Sequence, residues 1–394
     1  MWSWALATAL AGQVQLGAGA RGELQAGQAP ISAGESSSWF AASLLTPHVS
    51  VAWLEATGDG RLLYAPRLLW RRPNPTEGLR PLVLHIFRAD AAVAPGPRSE
   101  ARVRLAGSMG DVDYAALNEA LGTQASLPST TRLYTLDASA RVAWRATRGL
   151  RWETTLAAIR RAGLDDRATL PDETRLALEP RLTWSASRLD TLSLYVETAL
   201  YRLSGPARLD GTVWAPRLAW RHRLGRSQDV LVSAGVAWAH ALNDNRRPFS
   251  DLTPLAELAW LTHVGPVAGL ILRSSLSVDT GWHLDPVLVT ALPRALASAR
   301  VALEGTHDSA ELWAQFATNG TARPIAAQPD ETVLTGGLRL TWRASDMLLL
   351  EVGSRFSDRA PHLRARNWHL HAREWVGYVA ATMMMSTTRS PAEP

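Results

Sequence analysis

The chain has 394 residues, 46% of them hydrophobic and 20% charged, a formal charge of +5 and no cysteine. That apolar share excludes a compositionally disordered chain, and the missing cysteine excludes a disulfide framework and thiolate metal sites. So small a charge, dispersed along the chain, excludes a nucleic-acid-binding patch. Mean hydropathy lies near zero, and no run approaches the ~18 apolar residues a membrane helix needs. All 41 basic residues are Arg, which reads mainly as a compositional habit of the genome. Seventeen Trp against five Phe and six Tyr is an unusual balance. Trp seeks a boundary where its ring is half buried and its N–H stays wet.

In chain order, residues Trp2 to Ala11 (WSWALATALA) are apolar, and Ala9-Leu10-Ala11 fits a small-x-small cleavage pattern, though no Arg precedes it. Residues 1–12 therefore read either as a clipped export signal or as the lead into a first strand. From there on, segments alternate with period two, the strand signature. In Leu176–Trp184, Leu176, Leu178, Pro180, Leu182 and Trp184 share one face, with Ala177, Glu179, Arg181 and Thr183 on the other. In Thr212–Leu224 the faces are Trp214, Pro216, Leu218, Trp220 and Val213, Ala215, Arg217, Ala219, Arg221. Val230–Trp238 and Leu338–Trp342 repeat the pattern. One face suits hydrocarbon and the other suits water.

A weak repeat underlies this. Arg141-Val-Ala-Trp144, Arg181-Leu-Thr-Trp184, Arg217-Leu-Ala-Trp220 and Arg339-Leu-Thr-Trp342 share Arg, aliphatic, small, Trp. A Trp-bearing period near forty also raises a β-propeller, but a blade needs four short strands and each unit here holds two long ones. Connections alternate between short turns and long loops. Eight turns and nine loops join eighteen strands; sixteen fits almost as well. The predicted fold is thus all-β: a closed, antiparallel, up-and-down transmembrane barrel over residues 13–384, with a polar tail at 385–394. Trp53, Trp144, Trp184, Trp220, Trp260 and Trp342 each precede a short turn by a few residues. On a barrel they form one aromatic girdle at the membrane interface.

Strand number, loop alternation and this girdle resemble the bacterial outer-membrane barrels of the porin type, and also the eighteen-strand barrels that accompany exopolysaccharide export. No short motif fixes a subfamily. The last strand, expected at Asn367–Met384, departs from those barrels by ending on Met383-Met384-Met385 rather than an aromatic residue, although Trp375 and Tyr378 stand nearby. The resemblance implies residence in the outer membrane and an aqueous lumen wide enough for solutes unless something plugs it. Its implied partners are outer-membrane lipid and lipopolysaccharide, the barrel-assembly machinery and, on the export reading, a periplasmic polysaccharide-export protein. It also implies a third outer loop, Gly110–Thr130, folded inward as a constriction, with Asp111, Asp113 and Glu119 facing wall arginines.

Arg141, Arg181, Arg217 and Arg339 fall on the wet face and are expected to line the pore. There they either favour anionic solutes or pair with Glu153, Glu179, Glu197 and Glu351 on similar faces. A catalytic role finds little support. His307-Asp308-Ser309 is adjacent in sequence, and adjacent residues rarely converge into a triad. His369 and His371 share a strand face, without a carboxylate at a useful spacing. No phosphate loop, dinucleotide fingerprint or zinc spacing occurs. No cofactor or metal is expected. The leading expectation is an outer-membrane channel, porin-like or for polysaccharide export. An outer-membrane enzyme with a site at one rim and a non-conducting structural or adhesion barrel are the alternatives.

Overall fold

A computed structural model describes residues 13–29, 38–72, 80–113, 130–164, 172–204, 208–243, 248–267, 269–285, 290–319, 331–361 and 372–389. These form eighteen strands: β1 (Gln13–Ala29), β2 (Ser38–Glu55), β3 (Gly58–Arg72), β4 (Leu82–Gly96), β5 (Ser99–Asp113), β6 (Thr130–Arg145), β7 (Leu150–Gly163), β8 (Asp172–Ser185), β9 (Asp190–Ser204), β10 (Arg208–Arg223), β11 (Gln228–Asn243), β12 (Pro248–Val267), β13 (Leu270–Asp285), β14 (Thr290–Glu304), β15 (Asp308–Asn319), β16 (Glu331–Arg343), β17 (Leu348–Pro361) and β18 (Ala372–Arg389). Each pairs antiparallel with its sequence neighbours, and β1 pairs with both β2 and β18, which closes the sheet. Closure leaves no unpaired edge in hydrocarbon, the condition a membrane-spanning sheet must meet.

Strand number settles at eighteen. Short connections at 56–57, 97–98, 146–149, 186–189, 224–227, 305–307 and 344–347 gather at one end. β18 continues five residues past the expected end of the barrel, so that Val14 pairs with Arg389. Residues 385–389, expected to belong to a polar tail, are paired with β1. The expected start at residue 13 coincides with β1; residues 1–12, together with His362, His369 and His371, lie outside the described residues.

The alternation read from the sequence holds around the circumference. Leu178, Leu218, Val232, Leu258, Leu276, Val301, Leu312 and Val352 are exposed on the outer face. The small residues Ala199, Ala215, Ala219 and Ala237 are buried on the inner face. The aliphatic face thus looks out, while buried apolar contacts on the inner face are confined to small clusters such as Phe40, Ala42, Leu69, Leu82 and Val376. So much outward apolar surface is compatible with lipid and not with water.

Two belts of aromatic residues edge this band. At the short-turn end Trp144, Trp184, Trp220, Trp260 and Trp342 are exposed on the outer face, and Trp53 lies flat over its cross-strand neighbour Gly60. Trp152, directly opposite Trp144, joins them. Trp220 Nε1 donates to Asp190 Oδ1 at 3.1 Å and Trp152 Nε1 to Thr154 Oγ1 at 2.9 Å, the wet end that an interfacial indole requires. Toward the long-loop end a second belt includes Trp70, the facing pair Trp214 and Trp238, and Trp375 beside Phe356.

Two local devices shape the wall. Outward-facing prolines interrupt the ladder: pairing skips from Leu45 to Val49 at Pro47 and from Leu178 to Arg181 at Pro180. A proline has no N–H to donate, so each relaxes the sheet locally. Elsewhere an aromatic ring covers a glycine directly across the strand pair, as Tyr378 does at Gly353 and Phe87 at Gly107. A Cβ at Gly353 would meet the Tyr378 ring at 2.5 Å. Only glycine leaves that room, and the ring shields the bare backbone in return.

Candidate functional site: the lumenal arginine wall

Eighteen strands roughly 4.8 Å apart and tilted about 40° give a backbone diameter of roughly 36 Å, which leaves an interior too wide for wall side chains to fill. Every described segment is a wall strand or a connection between strands. The charges on the inner face are the chemistry this wall presents to the interior.

Most inner-face charges neutralise one another, across strands or, for Arg181 and Glu179, along one strand. Arg141 pairs with Glu153 at 2.5 Å, Arg181 with Glu179 at 2.8 Å, and Arg339 with Glu311. Arg175 pairs with Glu197, and Arg300 with Glu311 at 2.7 Å. Arg181 also stacks over the Tyr195 ring at 4.5 Å. All four pore arginines expected from the sequence lie on inner-face positions, but three of them are held in ion pairs. Of the four carboxylates read as available to lumenal arginines, Glu153 pairs with Arg141, Glu179 with Arg181, Glu197 with Arg175 and Glu351 with Arg21. Arg217 makes no ion pair among the described residues. Its Nη2 lies 3.9 Å from where a Cβ on Gly281 would stand, so the side chain leans over β11 and β12 toward β13. Glu257 and Asp279 face each other there in register.

The wall over β3–β5 is different. Its inner positions carry Arg61 and Arg67 on β3, Arg88 and Asp90 on β4, and Arg102 and Arg104 on β5. Asp90 stands between Arg61 and Arg104 in one row and accepts a bond from Arg104 Nε at 2.7 Å. Arg61, Arg67, Arg88 and Arg102 have no acidic partner among the described residues. Arg102 faces another guanidinium, that of Arg141, directly across the strand pair. Like charges so placed repel; Arg141 is offset by its pair with Glu153, while Arg102 has no such partner among the described residues. Arg67 precedes Trp70 by three residues, but Arg61, Arg88, Arg102 and Arg104 precede no Trp at that spacing, so the repeat that marked the others passes over those four. The signal present was period-two arginine itself, in Arg61 with Arg67 and Arg71, and in Arg102 with Arg104.

Of the expected constriction acids, Asp111 alone has a described side chain. β5 runs through Asp113, so Asp111 belongs to the wall. It shares the outward face with Met109, and its Oδ1 accepts from Arg132 Nε at 2.9 Å. Strand alternation turns it away from the lumen. Asp113 ends β5, and Glu119 lies outside the described residues. Asp308 and Ser309, successive residues at the start of β15, point to opposite faces, which keeps them from converging with His307.

No family model matches the chain, and no curated protein matches it. Solved structures do. The FrpB iron transporter from Neisseria meningitidis, F5-1 variant in its apoprotein form, superposes with a TM-score of 0.55 at 10% identity, covering 92% of this chain and 66% of that one. The F3-3 variant gives 0.53 at 9% identity, covering 91% and 65%. The outer membrane protein OpdK from Pseudomonas aeruginosa gives 0.46 at 11% identity, covering 95% and 99%. The chain thus spans about two thirds of the length of FrpB. At these identities likeness establishes the fold alone. That fold, with the lipid-facing apolar band and its aromatic edges, is a bacterial outer-membrane β-barrel of eighteen strands, and it places the chain in the outer membrane.

Proposed function

We propose that this barrel is a diffusion channel that favours anionic solutes. The observation that carries the reading is the set of unpaired lumenal guanidiniums on β3–β5, Arg61, Arg67, Arg88 and Arg102, set against walls whose charges, Arg217 apart, are largely held in ion pairs. Fixed positive charge on one side of an aqueous lumen raises the local concentration of anions and lowers that of cations. Arg suits the task because it stays charged at every physiological pH.

In planar bilayers under a KCl gradient, the folded barrel is expected to give a reversal potential of anion-selective sign. Replacing Arg61, Arg88 and Arg102 together by Ser is expected to move that potential most of the way to the non-selective value while conductance persists. Raising the salt from 0.1 M to 1 M shortens the screening length from about 10 Å to about 3 Å, so the preference weakens in step. A cation-selective potential, or a folded barrel with no ionic conductance, would overturn the proposal. The latter result would favour the structural or adhesion alternative.

Export of an acidic polysaccharide is the second reading. Arg102, Arg88 and Arg67 sit at successive heights along the wall, a track suited to an extended polyanion as much as to small ions. Translocation of a labelled anionic oligosaccharide into barrel-containing vesicles separates the two, since a small-ion channel excludes it.

A further inference from the structure

We infer that Arg61, Arg88, Arg102 and Arg104, gathered around Asp90, form a lumenal binding site for a multivalent oxyanion of the phosphate class. The inference rests on the channel reading above and specifies what its charged wall recognises.

The sheet register fixes the grouping. Asp90 is flanked in its row by Arg61 on β3 and Arg104 on β5. Arg88 lies two residues along β4 on the same face, opposite Leu63 and Ala106. Arg102 lies two residues along β5, opposite Ala92. Neighbours in a row stand ~5 Å apart at Cβ and diagonal ones ~7–8 Å; Arg88 and Arg102 lie on opposite sides of the Asp90 row, roughly 14 Å apart along the strands, so each leans toward that row for the four to share one ligand above the sheet. Leu63, Ala92 and Ala106 leave low ground between the arginines, and Arg61, Arg88, Arg102 and Arg104 are all exposed to the lumen.

The electrostatic balance favours an anion of more than one charge. Asp59, Asp90 and Glu100 are the carboxylates on the inner positions of β3–β5; Glu100, toward the short-turn mouth, pairs with Arg151 of β7 at 3.7 Å, so the four guanidiniums keep a surplus of two positive charges over Asp59 and Asp90. Asp90 engages Arg104 only at Nε, and the two terminal nitrogens of Arg104 have no partner among the described residues. It thereby orients one fork without consuming it. Chloride satisfies the charge but uses none of the fork geometry. A tetrahedral oxyanion accepts paired N–H bonds from several guanidiniums at once. Elsewhere on the inner face, at Arg141, Arg181 and Arg339, carboxylates already fill that role, which marks the β3–β5 patch as the place where the ligand supplies the missing negative charge.

The test uses single-channel recording of the full-length barrel in KCl, with inorganic phosphate, pyrophosphate or glucose 6-phosphate added to one side. Concentration-dependent reduction of the chloride current is expected, with pyrophosphate acting at lower concentration than phosphate. Block by inorganic phosphate assigns a free ion to the site; block by glucose 6-phosphate alone assigns a phosphate carried on a saccharide. In Arg88→Ser/Arg102→Ser, half-block is expected at about tenfold higher concentration or more, the loss of one or two charge-assisted bonds. In Arg339→Ser, on the far side of the lumen, it should stay within about twofold, as a residue outside the site requires. Retained heat-modifiable migration on gels shows that each variant folds. If chloride selectivity is present but none of the three phosphates blocks, this inference fails and the channel reading stands. Equal loss of block in Arg88→Ser/Arg102→Ser and Arg339→Ser would likewise overturn it. Absence of any anion preference in KCl alone removes the channel reading itself.

Discussion

Leu178→Arg is expected to destabilise the folded barrel by roughly 2–4 kcal/mol, whereas Ala177→Arg, one residue away on the same strand, costs less than about 1 kcal/mol. Leu178 lies at the middle of β8 with its side chain exposed on the outer face, level with Leu156 on β7. A guanidinium there sits deep in hydrocarbon, beyond the reach of headgroups unless the bilayer thins around it. Ala177 faces the lumen at the same depth, where an arginine finds water and the carboxylates of Glu179 and Glu197. Reversible denaturant unfolding in phospholipid vesicles measures both. Equal costs for the two substitutions would mean that the faces are assigned wrongly, and with them the entire arginine wall.

The second large effect lies at the seam where the cylinder closes. Glu23 on β1 and Glu351 on β17 occupy one row, separated by Ala380 of β18. Arg21 sits between the two carboxylates. Its Nη1 and Nη2 donate to Glu351 at 3.1 and 3.3 Å, and its Nε and Nη2 donate to Glu23 at 3.2 and 2.9 Å. Tyr378 donates a further bond to Glu351 at 2.8 Å. Glu351 is 7% exposed, so its charge is tolerable only because these donors surround it.

Arg21→Ala would leave two half-desolvated carboxylates facing each other across a single strand. We expect a loss of about 2–4 kcal/mol, somewhat below the figure for fully buried pairs because the Arg21 side chain keeps a third of its exposure. Arg21→Ala combined with Glu351→Gln should recover part of that loss by removing the uncompensated charge. Hydrogen exchange would show the amides of β1 and β18 opening before those of β8 and β9. Uniform loss of protection around the ring would refute the view that this network latches the closing seam.

The fold was legible because a transmembrane barrel is written locally. Each strand must alternate between lipid and water, and each indole must stop at an interface. Val230–Trp238 and the Trp144, Trp184, Trp220 series therefore carried the answer without knowledge of their neighbours. Even strands broken by Pro47 or Pro180 kept their parity, since the ring points outward and only one ladder bond is forgone. The same alternation puts Arg141, Arg181, Arg217 and Arg339 on one side of their strands.

What those arginines do there was decided only by the tertiary structure. Whether a lumenal guanidinium is free or neutralised depends on which residue stands across the strand pair, and register is fixed by the closed ring rather than by the segment. Arg141 met Glu153, Arg339 met Glu311, and Arg102 met another arginine. Arg21 and Glu351, 330 positions apart in the chain, became partners because the first and last strands must pair for the cylinder to close. Alternation of faces is a property of one strand in its solvent; the charge a solute encounters is a property of several strands held side by side.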